Sequence, residues 1–151
     1  MLNDGLAKRL ETLLSKAPGA WQFILSWGAL CHGIDDIIDG DNPKITDKKA
    51  HVLDVAQLAM DVYSSPFYQQ NLWLYPICAN IHRVYEDSVA WEHEPGWKGE
   101  YGDKLRCCGN EVITAILKHK VGLSGEELRE ISLLIREDSW ERHHDKDGRP
   151  I

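Results

Sequence analysis

The stretch WQFILSWGALCHGIDDIIDGDNP, Trp21 to Pro43, decides the fold. Ile24, Trp27, Cys31, Ile34 and Ile38 recur every three or four residues, the spacing that puts side chains on one face of a helix. Gly40 and Asn42-Pro43 then stop it, since glycine leaves helical geometry easily and proline has no amide hydrogen to give. The same grammar holds on either side. Leu2, Leu6, Leu10 and Leu13 mark an earlier amphipathic helix that Pro18-Gly19 ends. Thr46 or Asp47 can cap a third, running to about Tyr63. Ser64-Ser65-Pro66 opens a long fourth that reaches about His93, before Pro95-Gly96. A fifth is periodic through Leu105, Cys108, Val112 and Ile116 and ends near Gly122. Ser124 and Glu127 have capping-box spacing for a sixth, built on Leu128, Ile131 and Ile135. No alternating run long enough for a strand interrupts this pattern, so the expected fold is all-α, one compact bundle of about six helices over residues 1–142. The tail 143–151 is polar and expected to fray, and His143-His144 is read as part of that tail rather than as a metal site.

Composition bounds the function. With 151 residues, 43% apolar, and six Trp, the chain can build a core of its own. The net charge of −7 disfavours nucleic acid and anionic membrane as partners. Trp21 to Cys31, the longest apolar stretch, is too short to span a bilayer, and the amino terminus lacks the basic start of a secretory signal. Cys31, Cys78, Cys107 and Cys108 show no CxxC spacing, so they read as reduced packing residues of a cytoplasmic protein. Cys107 has no His and carboxylate at a recognisable spacing, which makes a cysteine nucleophile a weak idea.

Chemistry concentrates at the end of the second helix. Asp35 and Asp39 are four residues apart and Asp36 and Asp39 three, so the carboxylates share one edge, with His32 a turn earlier. Three like charges there repel one another and meet the negative end of the helix dipole. Either Lys44, Lys48 and Lys49 balance a solvated acidic end, or a hard cation such as Mg²⁺ does, held by one or two carboxylates with water left for a phosphate to replace. A calcium loop is excluded, because Ile37 and Thr46 would fall where it requires carboxylates. His51, Asp54 and Asp61 on the third helix could approach the same place, but such residues are more often simply exposed. On the fourth helix Asn80, Arg83 and Asp87, with Glu86 beside them, set an amide, a cation and a carboxylate on one stripe. That stripe fits either a metal and phosphate site or a solvent face with an Arg83–Asp87 ion pair, the commoner case.

Trp27 to Asp41, WGALCHGIDDIIDGD, resembles the first aspartate-rich motif of isoprenoid synthases of the squalene and phytoene type, and Asn80 to Asp87, NIHRVYED, is similar to their second. The resemblance implies a helical cavity protein that binds Mg²⁺ and an isoprenoid-type diphosphate. It assigns Asp35, Asp36, Asp39, Asn80 and Asp87 to metal, and the diphosphate would engage His32, Arg83 and Glu86. Val84 stands where the second motif carries an aspartate after its arginine. Domains of that family are roughly twice this length, so the expectation is a reduced member or a homodimer that encloses the cavity. Two other readings stand beside this one. A helical Mg²⁺-dependent nucleotide pyrophosphohydrolase lacks its paired-glutamate signature here, and a noncatalytic helical interaction protein would bind through apolar helix faces.

Overall fold

A computed structural model describes residues 2–151. Its helices are α1 Asp4–Leu14, α2 Ala20–Asp39, α3 Lys48–Ser64, α4 Pro66–Gln70, α5 Leu74–Trp91, α6 Trp97–Leu105, α7 Glu111–Ile116 and α8 Gly125–His143. The chain is all-α, as expected, and among the described residues no helix is long and apolar enough to cross a membrane. It divides into two compact units, Pro18–Leu72 and the remainder, in which the first seventeen residues join Trp73–Ile151.

In the Pro18–Leu72 unit, Gly19 at φ +84° turns the chain into α2, whose buried face is Ala20, Phe23, Ile24, Trp27, Leu30 and Gly33. This face is rotated from the expected one. Ile24 and Trp27 are on it, but Ile38 is exposed, because the buried stripe closes at Gly33, where α3 packs tightly. A Cβ at Gly33 would lie 2.7 Å from Val55 Cγ2, so only glycine lets α3 this close, and His51 Nε2 meets the Gly33 carbonyl at 3.2 Å. The cap of α3 is Asp47, accepting from the Ala50 amide at 3.0 Å. Phe23 packs on Phe67 and Tyr68 with ring centroids 5.5 and 6.1 Å apart, which fixes α4 against α2.

The long fourth helix expected from Pro66 to His93 is two helices. Asn71 breaks it: its side-chain amide donates to the Phe67 carbonyl at 2.8 Å, taking the acceptor its own backbone amide would use in a continuing helix. That amide turns instead to the Tyr68 carbonyl, and Asn71 adopts φ −133°, ψ 53°. The helix restarts at Leu74.

In the other unit, Asn3 caps α1 by accepting from the Leu6 amide at 2.9 Å, and α1 buries Leu6, Leu10 and Leu14. Asn3 also donates from its backbone and side-chain nitrogens to Asp138 Oδ1, at 3.0 and 2.9 Å, tying α1 to α8. Two glycines bring α6 onto the end of α5. A Cβ at Gly99 would lie 2.2 Å from the Glu94 carbonyl oxygen, and one at Gly102 2.6 Å from the Glu92 nitrogen. Ser88 Oγ donates to the Gly102 carbonyl at 2.7 Å in the buried seam this leaves.

The expected fifth helix is also divided. Cys107, at φ −93° and ψ 12°, and the 3₁₀ turn Cys108–Asn110 separate α6 from α7, and the turn Leu117–Val121 widens to π geometry before Gly122 ends it at φ +84°. Ser124 stands at the N-cap of α8, but its side chain makes no capping bond, so the expected capping box does not form. Gly125, the first residue of α8, stands at φ +58°. The segment expected to fray folds back, with the Ile151 amide donating to the His143 carbonyl at 2.9 Å and Asp145 to Arg149 at 2.8 Å.

Candidate functional site

The acidic end of α2 lies in the Pro18–Leu72 unit, and the Asn80–Asp87 stripe lies on α5 in the other unit. At the α2 end Asp35 and Asp36 are half-buried, and His32 and Asp39 are exposed. No basic residue occupies the last turn. Gly40, at φ +65°, returns its amide to the Asp36 carbonyl at 3.1 Å and turns the chain so that Asn42 folds back. Asn42 Nδ2 then donates to Asp36 Oδ2 at 3.2 Å, while its Oδ1 accepts from the Lys44 amide at 3.0 Å. Asp36 is thus oriented by a neutral amide. Asp54 and Asp61 on α3 are exposed, with Asp61 accepting from Gln57 Nε2 at 2.9 Å.

On α5 the side chains of Leu74, Cys78, Ile81 and Ser88 are buried, and Asn80, Arg83 and Glu86 are exposed. Arg83 Nη1 pairs with Asp87 Oδ1 at 2.7 Å, the ion pair their spacing allows. The carboxylate of Asp87 holds the Arg83 guanidinium above its ordinary range. Burial pushes the neighbouring His82 imidazole down, against an opposing pull from Glu86.

Among the described residues no three His, Cys, Asp or Glu side chains converge in a geometry that would hold a metal ion. A preformed cage of protein ligands therefore does not fit the chain.

A polar cluster that the sequence did not reveal lies where α6 meets the end of α8. His144 Nε2 faces Asp103 Oδ2 at 2.6 Å and its Nδ1 faces the Trp140 carbonyl at 3.0 Å, while the Trp140 ring stacks on the imidazole at 3.5 Å. The histidine side chain is 2% exposed. Beside it Asn110 Nδ2 donates to Ser139 Oγ at 3.1 Å. Asp138 Oδ2 lacks a well-aligned hydrogen bond, yet Arg142 Nε is 3.1 Å away and compensates its charge. No local signal could have found the Asp103–His144 couple, because its partners are 41 residues apart.

None of the four cysteines is in a disulfide, and Cys78, Cys107 and Cys108 are poorly suited to attack. Burial pushes Cys78 and Cys108 up to about 11 and also raises Cys107, against opposing help from Ser139, Arg142 and Arg106. A hollow of about 360 Å³ lies along α1 and α8, lined by Asn3, Leu6, Arg9, Leu134 and Glu137 among others. None of the residues expected to bind metal or diphosphate lines it. Compared with known proteins, the chain matches no family model, no curated protein and no solved structure.

Proposed function

We propose that the acidic end of α2 binds an Mg²⁺–diphosphate complex, with Asp35, Asp36 and Asp39 as the protein's oxygen donors. The supporting observation is the last turn of α2, where three carboxylates meet the negative end of the helix dipole with no basic residue in that turn. A cation arriving with its diphosphate relieves that repulsion without a preformed cage, because phosphate and water supply the remaining ligands. The isoprenoid character of the ligand, and the assignment of Asn80, Asp87, His32, Arg83 and Glu86 to metal or diphosphate, rest on the motif resemblance alone. This reading concerns binding and claims no bond-breaking step. It suits a cytoplasmic protein, where Mg²⁺ and diphosphates are both abundant and four cysteines outside any disulfide stay reduced.

The test is a thermal-shift titration of the whole chain with Mg²⁺ alone, diphosphate alone, the two together, and Mg²⁺ with an isoprenyl diphosphate or a nucleoside triphosphate. Ligand at a hundred times its Kd stabilises the native state by about 2.7 kcal/mol. The expected result is a shift that needs both metal and diphosphate and is lost in Asp36→Asn. A larger shift with the isoprenyl ligand supports the synthase-like reading, and a larger one with the nucleotide supports the pyrophosphohydrolase. No shift with any combination refutes both and leaves the interaction protein, which the exposed apolar residues of α3 favour.

A further inference from the structure

The face of α3 opposite its buried side carries exposed apolar side chains, with lysines at one end of the helix and an aspartate near the other. Val55 and Val62 are buried and His51 and Leu58 half-buried, a stripe at spacings of three and four. Turning by about 100° per residue, Leu53, Ala56, Gln57 and Met60 fall on the far side of the helix, with Val52 at its margin. Leu53 is 70% exposed, Met60 65% and Val52 48%. An isolated exposed leucine needs no explanation, but an aligned row along one helix does. Lys48 and Lys49 stand at the start of this helix and Asp61 near its end, all exposed.

We propose that this face is where two copies of the chain associate, their α3 helices packed antiparallel across the middle of the row. About that centre Leu53 of one copy meets Met60 of the other, and the reverse contact forms by symmetry, as an isologous interface requires. Ala56 and Gln57 flank that centre, and Gln57 already holds the Asp61 carboxylate at 2.9 Å on the edge of the face. Lys49 of each copy then comes within about one helical turn of the other copy's Asp61, making two cross-pairs. A parallel arrangement would set lysines against lysines and aspartates against aspartates. The helix dipoles oppose it as well. A second copy supplies both the apolar row and the matching charges, so no other occupant need be invoked. A single helix face buries less than the ~800 Å² per partner of a standard stable interface, so the dimer is weak, with a Kd of micromolar order or above. This inference gives the homodimer a surface and does not depend on the metal reading.

Sedimentation equilibrium of the whole chain over a range of concentrations tests it. The expected result is a reversible dimer that Leu53→Glu with Met60→Glu abolishes, while far-UV circular dichroism stays that of the wild type. The charge pair gives a second, milder test. Lys49→Glu and Asp61→Lys should each weaken association several-fold, and the double reversal should restore it to within about twofold of the wild type. A chain that stays monomeric at every concentration overturns the proposal, as does a dimer indifferent to the Leu53 and Met60 substitutions. Single reversals without effect overturn the antiparallel arrangement.

Discussion

Gly102→Ala should destabilise the protein, reversing the usual sign of a glycine-to-alanine change inside a helix. The ordinary effect is a gain of about 1 kcal/mol, because alanine loses less backbone freedom on folding. At Gly102, however, the new Cβ would lie 2.6 Å from the Glu92 nitrogen, 2.8 Å from the Trp91 carbonyl carbon and 2.9 Å from Glu92 Cα. All three are backbone atoms and cannot rotate aside, so α6 must lift from the end of α5 until ordinary contact is restored near 3.4 Å. The strain of such overpacking is about 1–3 kcal/mol. Lifting α6 also stretches the 2.7 Å bond from Ser88 Oγ to the Gly102 carbonyl, and leaving those buried groups unpaired costs a further 1–3 kcal/mol or so. Set against the propensity gain, the net loss is about 3 kcal/mol. Urea unfolding followed by circular dichroism measures it, with Gly28→Ala on α2 as the matched control. A Cβ at Gly28 meets nothing within 4 Å, so that variant should gain about 0.5–1 kcal/mol. If Gly102→Ala is as stable as the wild type, α5 and α6 do not touch through their backbones and the reasoning is wrong.

Two further outcomes follow from buried polar groups. His144→Ala leaves the Asp103 carboxylate, whose side chain is 17% exposed, without its hydrogen-bond partner, and should cost about 1–3 kcal/mol in the same urea assay. Wild-type stability in that variant would show that the couple does not form. Burial depresses the His82 imidazole below its ordinary 6.5, so below that pH the unfolded chain takes up a proton that the folded chain still refuses. Stability therefore falls as pH drops from 6.5 towards the folded value and levels off beneath it. His82→Leu should flatten that part of the curve of stability against pH, and an unchanged slope would mean the imidazole is hydrated in the native state.

Local grammar carried most of the helices and little of what joins them. The Asp47 cap, the Gly40 stop and the Arg83–Asp87 pair are decided within four residues, and each could be read from spacing. Asn71 could not, because whether a mid-helix asparagine points outward or takes the Phe67 carbonyl depends on its being buried. The break at Cys107 is similar, since its residues are compatible with a helix and nothing in the spacing marks the widened turn that follows. At the candidate site, sequence revealed the three carboxylates but not the role of Asn42 in orienting Asp36. The Asp103–His144 couple joins two helices through residues that look like parts of separate surfaces until the fold brings them together.

The bonds from Asn3 to Asp138 span 135 positions of the chain. They have a consequence for synthesis. During synthesis α1 leaves the ribosome well before α8, and must wait for the intervening residues before α8 can receive it. Pro18–Leu72, by contrast, is contiguous and has its contacts available as soon as its own residues are out. The intervening unit is therefore free to fold while the nascent chain is still growing. The apolar face of α1, Leu6, Leu10 and Leu14, waits for partners from Trp73–Ile151, so it stays uncovered while the Pro18–Leu72 unit is made.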